Sequence, residues 1–253
     1  MKYFQNFRNF EHMNVIRLCR LEERIELAME YWKKISNNGN LLYGILIVLS
    51  FLNQIQSMKY DYVTFTSTIK LLNLNSNARL HSHDVKYGSG SGQQSVTAVR
   101  NADDHNSYWQ IVSKHGETKS IERGQPVRCG DIIRLNHLST KRNLHSHLFQ
   151  SPLSNNQEVS AFGENGDGDT GDNWIVECDD EYWKRDEPIR LKHLDTNKYL
   201  HINGDTFGRP IHGQLEVSCY HNANQYNLWR VNEGVYIKPN EENDSNDNGH
   251  TEL

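Results

Sequence analysis

The residues best suited to chemistry in this chain come in repeated pairs. Leu80-His81-Ser82-His83 recurs as Leu144-His145-Ser146-His147, and a degenerate form, Leu200-His201-Ile202-Asn203, follows. Histidines at alternate positions of a strand share one face, and two imidazoles on one face are half of a zinc site. A complete site needs a third or fourth ligand and groups that orient the rings, which this spacing does not supply. The third copy offers His201 alone. The reading is that no metal binds. The leucines point into the core, and the histidines stand on the wet face of the strand or in hydrogen bonds.

Other stretches invite chemistry and fall short of it. Gly163 to Trp174 carries Glu164, Asp167, Asp169 and Asp172, but it lacks the ordered twelve-residue calcium loop with its closing bidentate glutamate. A solvated acidic turn is expected there. Gly88-Ser89-Gly90-Ser91-Gly92 has neither the following helix nor the Lys-Ser/Thr pair of a phosphate cradle, and it reads as a flexible loop. CxxC, HExxH and Gly-x-Ser-x-Gly are absent from the sequence. No catalytic residue and no cofactor is expected, and the chain reads as a non-enzyme.

The elements that position these residues follow from the repetition. Leu80, Leu144 and Leu200 are 64 and 56 residues apart, and Trp109, Trp174 and Trp229 follow them by 29, 30 and 29 residues. Val96, Val159 and Val217 lie between these landmarks, and Ile69/Leu71, Ile133/Leu135 and Ile189/Leu191 lie upstream. Ser76, Thr140 and Thr196 fall in the intervening turn. Self-similarity at a fixed period marks a repeat architecture. In the second copy "IIRLNHL", "LHSHLF", "EVSAF" and "NWIVE" each read as a short strand, by alternation and β-branched content. Three such units give twelve strands between Tyr60 and Ile237.

The unit "IRLxHLxTxxxLHSH…QEVSxFG…W", nearly intact in the second copy, resembles the MIR repeat shared by protein O-mannosyltransferases, inositol trisphosphate receptors and ryanodine receptors. The stretch "PLSNNQEVSAFGENGDGDTGDNWIVEC" is most similar to the stromal cell-derived factor 2 family. The first copy departs from the pattern by lacking the histidine found at His137 and His193, and the third by lacking the second histidine of the pair. The resemblance implies an all-β chain, a β-trefoil with a six-stranded barrel capped by three hairpins. Its repeats would span residues 59–114, 121–178 and 182–238. In such a trefoil the first and last strands of a unit meet, so Cys129 and Cys178, which bracket the second repeat, are candidates for a disulfide. Cys219 is then left as a buried free thiol.

The ends carry addresses. Leu41 to Leu52 is an apolar run behind Lys33-Lys34, too short for a spanning helix and the right length for a secretory signal. Cleavage is expected near Ser57. Residues 1–57 therefore read as an extension plus signal peptide. Met29 is the preferred start, and a signal anchor is the alternative. Residues 239–253 are polar and read as a disordered tail ending in His250-Thr251-Glu252-Leu253, which is similar to an endoplasmic reticulum (ER) retention tetrapeptide with Thr251 in place of an acidic residue. Asn243-Asp244-Ser245 is a glycosylation sequon.

The formal charge of −5 and the lack of a basic stripe argue against nucleic acid. Three functional readings remain. The resemblance implies an ER-lumenal accessory of protein folding, working with a J-domain co-chaperone and BiP on unfolded secretory clients. A lectin-like module reading mannosylated chains is the second, with Tyr182-Trp183 and Tyr220 as aromatic candidates unless they serve packing between repeats. A mannosyltransferase is the third. One short apolar run speaks against that many-spanning chemistry, and against an integral membrane protein once the signal is cut.

Overall fold

A computed structural model describes residues 62–118 and 121–240. The candidate signal run, Asn243 and the terminal tetrapeptide His250–Leu253 lie outside the described residues. Alternating apolar positions do what a period of two requires. Leu80, Leu144 and Leu200, Val96, Val159 and Val217, and Trp109, Trp174 and Trp229 are all buried in one core, while their neighbours along each strand face away.

Six strands form the barrel: β1 (Thr68–Asn73), β4 (Trp109–Ser113), β5 (Ile132–His137), β8 (Trp174–Glu177), β9 (Arg190–His193) and β13 (Trp229–Val235). Each pairs antiparallel with the next, β13 returns to β1, and the bridge Ile189↔Trp229 closes the circle. Closure removes the exposed edges that an open sheet of short strands would present. The remaining strands cap one end: β2 (Ala78–Lys86) with β3 (Gln94–Val99), β6 (Asn143–Gln150) with β7 (Gln157–Phe162), and β10 (Tyr199–His201) with β12 (Ser218–Tyr220). The fold is a β-trefoil.

Among the described residues thirteen strands appear where twelve were expected. The third strand of the third unit is interrupted at Val217, so that β11 (Leu215–Glu216) pairs with β3 while β12 pairs with β7. With β3 also pairing β7, the cap becomes a closed triangle, and the split lets one chain segment serve two neighbours. The opposite end closes likewise. The Val63 N–H donates to the Trp183 carbonyl, Trp183 to Val127 and Val127 back to Val63, at 2.8–2.9 Å. Trp183 is fully buried there, which makes it a packing residue.

The Cys129–Cys178 disulfide is formed, linking positions 49 residues apart in sequence with Cα atoms 5.3 Å apart. Cys219 is free and buried, and burial pushes its thiol up to about 12, which keeps it protonated and inert. Among the described residues, helical structure is confined to three 3-10 turns, His105–Ser107, Thr170–Asp172 and Gln225–Asn227. None of these is long and apolar enough to cross a membrane.

Candidate functional site

The Leu-His…Trp spacing has a direct structural cause. The indole N–H of Trp109 donates to the Leu80 carbonyl at 3.0 Å, and those of Trp174 and Trp229 donate to Leu144 and Leu200 at 2.9 Å. A buried indole N–H needs such an acceptor. The spacing of 29 or 30 residues is the length of chain needed to bring the fourth strand back under the second.

The first histidine of each pair is buried, contrary to the expected wet face. His81, His145 and His201 are each 4% exposed, because the 3-10 turn before each tryptophan folds over the ring. Each ring is hydrogen-bonded to that turn. His81 Nδ1–H donates to Asp104 at 2.8 Å and His145 Nδ1–H to the fully buried Asp172 at 2.9 Å. In the third unit the polarity reverses, and Asn227 Nδ2–H donates to His201 Nδ1 at 3.0 Å. The His201 imidazole is thereby fixed as neutral with its proton on Nε2, and burial lowers its pKa to about 4.

A second ring of contacts ties the units to one another. His137 Nε2–H donates to the Asn106 carbonyl of the preceding turn and its Nδ1 accepts from Thr140 Oγ1, both at 2.9 Å. His193 does the same with Gly171 and Thr196. The first unit has Asn73 instead, which donates to the Tyr226 carbonyl at 2.8 Å and accepts from Ser76. The missing histidine is thus replaced by an amide that makes the same bonds. Burial pushes His137 down to about 4 and His193 in the same direction, the carbonyl bonds opposing it only partly.

The two loops read from composition are also built in. Asp172 caps its own turn with Asp169, and its carboxylate accepts from Asn143 at 3.0 Å and from the Asp169 amide at 3.1 Å as well as from His145. It is a buried anchor rather than part of a solvated turn. Gly171 must be glycine here, since a Cβ would lie 2.5 Å from the His145 ring. The glycine–serine loop is pinned rather than flexible. Glu158, fully buried on β7, accepts from both the amide and the hydroxyl of Ser91, and it also accepts from His147 Nε2 at 3.0 Å.

Potential ligand atoms of His145, Asp169 and Asp172 lie within 4.8 Å of one another. His145 Nδ1 spends its proton on Asp172, and Asp169 accepts from the Gly171 amide at 2.9 Å. The trio is accounted for by the cap of the turn. The chemistry-bearing residues named from the sequence therefore converge, but on each other.

Comparison with known proteins follows these landmarks. The family model described as MIR domain matches residues 78–182. Stromal cell-derived factor 2 of Bos taurus is 52% identical over 199 residues, 78% of this chain and 93% of that protein. The chain belongs to the stromal cell-derived factor 2 family. Stromal cell-derived factor 2-like protein 1 of Homo sapiens is 51% identical over 76% of this chain and 85% of its own length. The SDF2-like protein of Arabidopsis thaliana has a solved structure with TM-score 0.68 and 46% identity, covering 71% of this chain and 99% of that one. A protein O-mannosyltransferase complex of S. cerevisiae, solved bound to the sugar donor, matches with TM-score 0.62 and 28% identity over 72% of this chain and 27% of that one.

In this stromal cell-derived factor 2 family member one surface breaks the threefold pattern. Leu148 and Phe149, on β6, are 84% and 51% exposed. The equivalent residues are Asp84-Val85 in the first unit and Gly204-Asp205 in the third, so the fold does not demand apolar side chains there. Beside them a cleft of about 330 Å³ opens toward the third unit, reaching Asn156, Lys198, Tyr220 and His221. These residues were missed in the sequence, apart from Tyr220. The signal that finds them is the comparison of the three copies with one another.

Proposed function

We propose that this protein is a non-enzymatic, ER-lumenal accessory of protein folding that binds unfolded secretory clients together with a J-domain co-chaperone and BiP. The observation that carries the reading is the use of the polar side chains. The histidines and carboxylates that could do chemistry are spent on holding three units together, while one hairpin exposes the adjacent apolar pair Leu148 and Phe149. Large exposed apolar side chains in a cluster suit protein binding. Family membership, the disulfide and the tail ending His250-Thr251-Glu252-Leu253 support an oxidising, retained setting.

The test is reconstitution. Protein purified from the ER lumen should co-purify with a J-domain protein and BiP and suppress aggregation of a client made without glycans. Removing His250 to Leu253 should release it to the medium without changing that activity in vitro. Glycan reading is the second possibility, favoured by the aromatic and amide groups, Tyr220 and Asn156, that line one cleft. A client held only when glycosylated, and displaced by free mannose, would replace the first reading with the second.

A further inference from the structure

Resting on that client-binding reading, we infer that the cleft between the β6–β7 hairpin and β12 takes an extended polypeptide segment carrying a large apolar residue flanked by carboxylates. Three observations converge on it. The apolar pair Leu148-Phe149 is exposed in one unit and replaced in both others, so it is not there for packing. Phe149 is also held in place. Its ring lies 4.7 Å from that of His147, which is bonded to the buried Glu158, itself tied to Ser91 of the neighbouring hairpin. On the far side Tyr220 stacks on the buried His201 at 5.0 Å and touches His221 at 4.4 Å. Phe149 and Tyr220 are thus positioned before any ligand arrives, so binding does not pay to immobilise these two rings.

Charge selects the occupant. The residues lining the cleft include Lys198 and His221 and no carboxylate, in a chain whose formal charge is −5. Lys198 is the formal charge of the lining, and a lone cation without a neighbouring carboxylate in the cleft favours acidic segments over basic ones. The volume, about 330 Å³, is at the lower end of the range for ligand sites and holds one or two large side chains. Amide groups of Gln150 and Asn156 in the lining suit the backbone of an extended chain.

The experiment uses the full chain purified from a secretory host and three fluorescein-labelled twelve-residue peptides. One carries Leu-Phe flanked by Asp and Glu, one the same pair flanked by Lys, and one Ser in place of Leu-Phe with the acidic flanks kept. Anisotropy should show the first binding at least tenfold tighter than either of the others. Leu148→Asp with Phe149→Ser should lose at least tenfold, and Lys198→Glu should reverse the preference between acidic and basic flanks. Val235→Ser, which removes an exposed apolar residue outside the cleft, should change nothing. Unchanged binding in the Leu148/Phe149 variant overturns the site. Displacement by oligomannose overturns the peptide as occupant, and a wild-type dimer that this variant disperses shows a second copy there instead. Aggregation suppression separates the two levels. If wild type and variant suppress equally, the site is wrong and the client reading stands; if wild type suppresses nothing, the client reading itself fails.

Discussion

Acid should loosen this trefoil through its buried histidines, and His137 gives the cleanest measure. Its ring is fully buried between the first and second units, tilted against Trp109 with ring centroids 4.8 Å apart, and neutral. Its pKa is lowered from 6.5 to about 4, chiefly by burial. The unfolded chain therefore binds a proton that the folded chain refuses, and stability rises with pH across that window. The contribution is complete above about pH 6.5 and is lost progressively as pH falls toward 4. By linkage the loss between pH 7.5 and pH 5 is about 2 kcal/mol for this one side chain. The carboxyl of Asp104, which Ser107 and His81 hold below its usual range against the opposing effect of burial, acts at lower pH.

The fold supplies its own control. Asn73 occupies the same place in the first unit and does not titrate, so His137→Asn should keep the carbonyl bond while removing the proton. The variant should be less stable at pH 7.5, by about 1–2 kcal/mol for the lost ring contacts and a less well-placed bond. Its acid limb should be flatter than that of wild type by about 2 kcal/mol between pH 7.5 and 5. Urea unfolding followed by tryptophan fluorescence at half-unit pH intervals measures both. A variant that loses stability with falling pH as steeply as wild type would refute the argument, whatever its stability at pH 7.5.

Three further outcomes are expected. His145→Ala should destabilise by about 2–3 kcal/mol in urea, because the buried Asp172 carboxylate loses its imidazole donor; a surface histidine would cost almost nothing. Gly171→Ala should cost about 1–3 kcal/mol in thermal unfolding, since the added methyl meets the His145 ring and the Ser146 carbonyl. Replacing Cys129 and Cys178 together by serine should cost about 4 kcal/mol by the chain-entropy relation for a loop of this length, read as a shift in the urea midpoint.

The repeat, the core leucines and the tryptophans were legible because burial leaves a period in the sequence, and the period is local. The Trp109–Leu80 bond could not be seen, yet its length in residues could. What stayed hidden was the environment of the polar residues. His145 reads as a surface residue from strand alternation alone, because alternation tells which face of its own strand a side chain takes and nothing of what covers that face. The covering element is a 3-10 turn some 27 residues away, too short to carry a periodic signal. The same is true of Glu158 and Ser91, which are 67 residues apart and belong to different units.

Threefold repetition offers a way past this limit, because each unit is a natural variant of the other two in the same fold. Gln94 donates to Ser82 and to Thr140 of the next unit, and Gln157 repeats the pattern with Ser146 and Thr196. The third unit has Leu215 and Ile202 at the corresponding places, both buried. The polar pair changes to an apolar pair as a whole, since a lone buried amide would lack its partner. Histidine and asparagine interchange at His137, His193 and Asn73 for the same reason: the bond is kept while the residue changes. Leu148 and Phe149 obey no such rule. Nothing in the other units compensates for them, and they lie exposed. A departure that changes partners together preserves the fold, and one that changes the surface alone changes what the surface meets. By that criterion the second hairpin is where this trefoil departs from threefold symmetry without a structural reason, and it is the surface to which the client-binding proposal points.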